Sequence, residues 1–256
     1  MRKGFISAVI GALMLPVAAT CSAVEAAEIR NIVIVHGAFA DGSGWRKVSD
    51  RLAAKGYNIT VVQQPLTSLQ DDVAATKRVL ALQDGPALLV GHSYGGMVIS
   101  DAGNDSRVAG LVYVAAFQPE KGESLAKLAS SKPAPNAPPD AIKATQDGYL
   151  YLDPQRFAAA FAADLPKADA GFLARSQVFA AQAAFTAEAG EPAWKSKPSW
   201  ALVASADRSI NPALERDMAR RAGSTVREVA ASHAVYASKP AEVAELIVEA
   251  ARAVSR

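Results

Sequence analysis

The sequence predicts an α/β protein, a mostly parallel sheet flanked by helices, and three observations carry that reading. From Ile29 onward, short β-branched or apolar runs alternate with longer helical patterns. One of those runs passes directly into a serine between glycines and then into a helical pattern, over Ala87 to Met97. With 256 residues, 50% of them hydrophobic, the chain can bury a large core within a single domain.

The strands read in order as Asn31 to Val35, Asn58 to Gln63, Ala87 to Val90, Val108 to Ala115, Trp200 to Ser205 and Thr225 to Val229. Between the second and third, Asp71 to Leu82 sets Val73, Thr76, Val79 and Leu80 on one helical face. Asp71 and Asp72 sit at the positive N-terminal end of that helix. A closing helix is expected from Ala241 to Val254, after Pro240. Residues 118–197 break the rhythm: they contain no convincing strand, a proline-rich loop from Lys132 to Asp140, and Ala- and Phe-rich helical patterns. This stretch is expected to be a helical lid inserted into a core made of 28–117 and 198–256. Phe157, Phe161, Phe172, Phe179 and Phe185 are read first as packing residues, some of which should also face a ligand.

Residues 1–27 have the layout of a secretory signal peptide: Arg2 and Lys3, an apolar run from Gly4 to Ala19, then small residues with cleavage expected between Ala23 and Ala27. The run falls short of the roughly 20 residues needed to span a bilayer. The expectation is therefore a periplasmic or secreted protein without stable membrane insertion. Ala18, Ala19 and Thr20 match poorly the box that would mark Cys21 for a lipid anchor. Cys21 is the single cysteine, so the mature chain is expected to carry no thiol and to exclude cysteine catalysis. Three histidines, none paired at i, i+4, argue against a metal site, and no cofactor is expected. The net charge of +2 comes from interspersed charges, which gives no reason to expect a nucleic-acid partner.

The chemistry is legible at Gly91-His92-Ser93-Tyr94-Gly95. A serine on so sharp a strand-to-helix turn needs neighbours without a β-carbon, which Gly91 and Gly95 supply. Ser93 then presents its hydroxyl as a nucleophile, and it requires a base. His92 is expected to support the turn, and His36, beside Gly37, to bond a loop backbone. That leaves His233, after the last strand and before the last helix, as the general base. Asp207, at the end of the strand beginning at Trp200, is the carboxylate expected to orient it. Asp153, Asp164 and Glu188 fall in the insertion, and Asp217 lies on an arginine-rich helix suited to a surface ion pair. The oxyanion donors are expected to be the amides of Ala38 and Tyr94, with Gly37 allowing close approach. Phe39 and Trp45, on the loop after the first strand, are the candidates for contacting substrate.

These motifs, with Ser232-His233-Ala234-Val235 and Pro240, resemble the α/β-hydrolase branch that holds plant methyl-ester esterases, hydroxynitrile lyases and related bacterial esterases, the bacterial esterases looking most similar. The resemblance implies the α/β-hydrolase fold, a small-molecule ester as substrate, and leaves a homodimer open. In hydroxynitrile lyases a threonine stands where this chain has Gly37, and a lysine where it has Ala234, which tilts the expectation toward ester hydrolysis. Lactone, amide or C–C hydrolysis, lyase-like cleavage, and a non-catalytic binding protein are the alternatives. The apolar insertion suggests a small or medium lipophilic ester, with no Lys or Arg near the motifs announcing an anionic substrate.

Overall fold

A computed structural model describes Met1, Gly4 and residues 28–255. The expected signal peptide, its cleavage site and Cys21 lie outside the described residues. Six parallel strands form the main sheet in the order β2-β1-β3-β4-β8-β9. They are β1 (Asn31–Val35), β2 (Asn58–Val62), β3 (Ala87–Ser93), β4 (Val108–Ala116), β8 (Ser199–Ala204) and β9 (Thr225–Val229). β1, β3 and β8 are buried along their whole length, as expected for central strands covered on both faces. β2 and β9 lie at the edges, and there the sequence is more polar and partly exposed.

Helices cover the sheet in pairs. α1 (Arg46–Ala53) packs on α10 (Pro240–Val254), which crosses β3, β4 and β8. α2 (Leu69–Ala81) packs on α3 (Gly95–Ala102), which crosses β1, β3 and β4. α2 starts where the Ser68 side chain accepts the Asp71 N–H, and the Asp71 carboxylate in return accepts the Ser68 and Thr67 hydroxyls at 2.7 and 2.8 Å. α8 (Pro212–Arg221) links β8 to β9.

The segment between β4 and β8 departs from the expectation of an all-helical insertion. It holds α4 (Leu125–Ser131), α5 (Pro154–Phe161), α6 (Lys167–Arg175) and α7 (Gln182–Thr186). It also holds an antiparallel three-stranded sheet of β5 (Ile142–Ala144), β6 (Tyr149–Leu152) and β7 (Ala180–Ala181). The sheet is stitched to the core where the Ala181 N–H donates to Leu66 O at 2.8 Å. Phe157, Phe161 and Phe185 are buried, whereas Phe172 and Phe179 are half-exposed.

Candidate active site

The site begins where β3 gives way to α3. Ser93 ends the strand at φ +52, a left-handed backbone that a residue with a side chain adopts only at a cost of order 1–3 kcal/mol. Two close approaches hold the turn. A β-carbon on Gly91 would lie 2.6 Å from Gly95 O, and one on Gly95 would lie 2.4 Å from Val35 O. The turn is therefore wedged between β1 and the start of α3, with Tyr94 at the N-cap position.

His233 lies between β9 and the short helix α9 (Val235–Ser238). Its Nδ1 donates to Asp207 Oδ2 at 2.5 Å, and both side chains are buried. Asp207 is fixed in turn, because its Oδ1 accepts the Ser209 N–H at 2.6 Å and the Ile210 N–H at 3.0 Å. With the Nδ1 proton committed to the carboxylate, the Nε2 of a neutral His233 is the nitrogen able to take a proton.

The other histidines hold backbone. The His36 Nδ1 donates to Gly37 O at 2.9 Å, and its Nε2 accepts the Gln64 N–H at 3.2 Å. The His92 Nε2 donates to the carbonyl of His233 at 3.0 Å, which ties the serine turn to the histidine loop. Burial holds both imidazoles below the ordinary histidine range, His92 well below it, with the neighbouring His233 adding to the effect. Asp217 pairs at the surface with Lys132 and with Arg220, the latter at 3.1 Å.

A further carboxylate supports the turn from below. Asp72 is buried, accepts the Tyr94 hydroxyl at 2.7 Å through Oδ2, and accepts the Leu66 N–H at 2.9 Å through Oδ1. Burial pushes its carboxyl up to about 6. In the sequence it looks like one of two acidic residues at a helix start, and nothing there distinguishes it from Asp71.

Ser93 and His233 open onto one cavity of about 460 Å³. Ala38, Phe39 and Tyr94 border it beside the serine, and Phe161 and Phe185, from the segment between β4 and β8, line it as well. Phe39 and Phe185 meet at a ring distance of 5.7 Å. Trp45 corrects the expectation of a substrate contact. The turn Gly42–Trp45 rotates its ring inward, where it is buried and stacks on Tyr236 at 4.7 Å, away from the cavity wall. A second correction is Arg208: it directly follows Asp207 and borders the cavity together with Asp140, so a cation does stand near the motifs. Among the described residues, no three of His, Cys, Asp or Glu converge as a metal ligand set.

Comparison with known proteins fits this geometry. The family described as the "Alpha/beta hydrolase family" matches residues 32–246. A carbendazim hydrolyzing esterase of Nocardioides sp. (strain SG-4G) is 34% identical over 114 residues, 38% of this chain and 46% of that protein. Methylesterase 7 of Arabidopsis thaliana is 33% identical over 108 residues, 36% of this chain and 41% of that protein. The chain thus spans a little under half the length of these curated relatives. In structure, a pyrethroid hydrolase from Sphingobium faniae JZ-2 superposes with a TM-score of 0.74 at 23% identity, covering 88% of this chain and 98% of that one. That likeness is one of fold, and the family match spans most of the described residues. The chain belongs to the alpha/beta hydrolase family.

Proposed function

We propose that the protein is a serine-dependent carboxylic ester hydrolase that acts through an acyl-enzyme on small or medium lipophilic esters. The observation that carries this reading is the convergence of Ser93 and His233 on one cavity, with Asp207 hydrogen-bonded to His233 at 2.5 Å behind them.

The proposed reaction is transfer of the acyl group to the serine, followed by its hydrolysis. Ser93 attacks the ester carbonyl as His233 Nε2 takes its proton. Charge gathers on the carbonyl oxygen, where the amides of Ala38 and Tyr94 receive it. Asp207 steadies the imidazolium, which then protonates the departing alcohol. Water activated by His233 frees the acid and restores the serine. The largely apolar wall favours lipophilic acyl and alcohol groups, in keeping with the esterases among the curated relatives.

Two positions favour ester cleavage over the lyase reaction. A β-carbon on Gly37 would lie 2.8 Å from Ser93 Cβ and 2.9 Å from His92 Nδ1, so a hydroxyl-bearing side chain has no room there. Ala234 is buried and carries no cation to receive a departing cyanide.

A panel of p-nitrophenyl esters of increasing chain length, set beside methyl esters and lactones, tests the proposal. Turnover of short and medium esters by the wild type, lost in Ser93→Ala with the fold intact, is the expected result. Full activity in Ser93→Ala would refute it.

A further inference from the structure

Behind the Asp207–His233 pair lies a second carboxyl that the mechanism above does not use. Glu215, in the first turn of α8, is 4% exposed and is tied to the Asp207 loop through Ala204, whose carbonyl accepts the Asp207 N–H at 3.1 Å. Its Oε2 accepts the Ala204 N–H, from the last residue of β8, at 3.4 Å. Among the described residues, its Oε1 receives no hydrogen bond. The adjacent cation, Arg216, is turned outward and engaged with Glu228 at 3.0 and 2.5 Å.

Two buried carboxyls held beside the same stretch of chain, without a cation between them, cannot both ionise cheaply. Asp207 is better equipped to carry the charge, because two backbone N–H groups and the imidazole converge on it. Glu215 has one long backbone contact in a dry setting. Burial, reinforced by the charge on Asp207, accordingly pushes its carboxyl well above the usual range.

We infer that Glu215 is a positioning residue: held as the neutral acid, it donates a hydrogen bond to the Asp207 carboxylate and so limits how strongly that carboxylate draws positive charge onto His233. The inference rests on the serine-hydrolase reading above. A carboxylate that shares its charge with one more donor is less basic. The base it orients is then easier to deprotonate, which keeps His233 free to accept the Ser93 proton at lower pH. The proton stays on Glu215 throughout.

The pH dependence of kcat/KM reads this directly, because its acid limb follows the titration of the free enzyme's base. The charged and titratable groups that bear on the limb are Asp207 and His92 in contact with His233, Asp164 bonded to Ser232, Arg208 and Asp140 in the cavity wall, and Arg216 next to Glu215. Two variants of the full chain separate the cases. Glu215→Gln keeps a neutral donor of the same shape, so kcat should stay within about twofold of wild type with the acid limb unmoved. Glu215→Met keeps the length and loses the donor, so the limb should move up by about half a pH unit and kcat fall about tenfold.

A downward shift of the limb in Glu215→Gln would mean that a negative charge had been removed, and would overturn the inference. So would wild-type kinetics in a folded Glu215→Met variant. If the methionine variant does not fold, the glutamine variant decides alone: an unmoved limb with retained kcat supports the neutral donor, and a downward shift or a tenfold loss overturns it. Ser93→Ala, assayed in parallel, keeps the two readings apart: an inactive alanine variant beside unaffected Glu215 variants removes the inference and leaves the serine mechanism standing.

Discussion

The carbonyl of Phe161, the last residue of α5, accepts the Ala234 N–H at 2.8 Å, one residue beyond His233. Asp164 follows it in the chain and accepts the Ser232 hydroxyl, one residue before His233. The segment between β4 and β8 therefore grips the histidine loop on both sides of the imidazole, and its Phe161 and Phe185 also line the cavity.

This grip predicts the behaviour of Asp164→Ala. Losing one hydrogen bond of this kind should cost about 1 kcal/mol of stability. A small displacement of the base is felt more strongly in the reaction, so kcat on a neutral p-nitrophenyl ester should fall about tenfold with KM little changed. Steady-state kinetics beside a thermal melt check both halves. An unchanged kcat would show that the bonds from His92 to the His233 carbonyl and from the Ala206 N–H to Ala231 O hold the loop without help from Asp164.

At Gly95 the packing leaves no space for a side chain: a β-carbon would lie 2.4 Å from Val35 O and 2.8 Å from His36 O, both backbone atoms of the first strand and its exit. Gly95→Ala must push α3 away from β1. The cost should be about 3 kcal/mol or more, at the upper end of overpacking, with esterase activity lost alongside. Denaturant unfolding measures it, and a variant as stable as wild type would show that the turn is looser than the geometry requires.

Asp72 links stability to pH. Its carboxyl is raised to about 6 in the folded chain by burial, against an ordinary value of 3.8. Well below its ordinary value of 3.8 it is neutral in both folded and unfolded chains. Between about 3.8 and 6 the unfolded carboxyl is ionised while the folded one keeps its proton, so this group's contribution to stability is lost across that window. Asp72→Asn carries no such titration. The melting temperature of wild type relative to Asp72→Asn should therefore fall between pH 4 and pH 7, and a flat difference would contradict the assignment.

Much of the fold and the site was legible in the sequence. The six core strands fall within a residue or a few of their expected limits, because continuous apolar runs bounded by turns mark buried parallel strands. Ser93 could be proposed from the glycines around it, and Asp207 and His233 from their place after later strands, since all three come from the end of the sheet where the loops meet. The small sheet was not legible: β5, β6 and β7 have three, four and two residues, too few for alternation to register. Trp45 misled because nearness in sequence to Gly37 says nothing of direction, and the short turn before it points the ring into the core. Glu215 and Asp72 were hidden for a shared reason. Each occupies the first turn of a helix, where an acidic residue is ordinarily explained by the helix dipole, and only packing reveals that both are buried.

The claim on which the rest depends is that Ser93 carries an activated hydroxyl. Incubation with a fluorophosphonate, followed by peptide mass mapping, measures it directly. The account predicts a single phosphonyl adduct on the peptide containing Ser93, formed at least about a hundredfold more slowly in His233→Ala. An adduct on another residue, or none in a preparation that turns over esters, would contradict it.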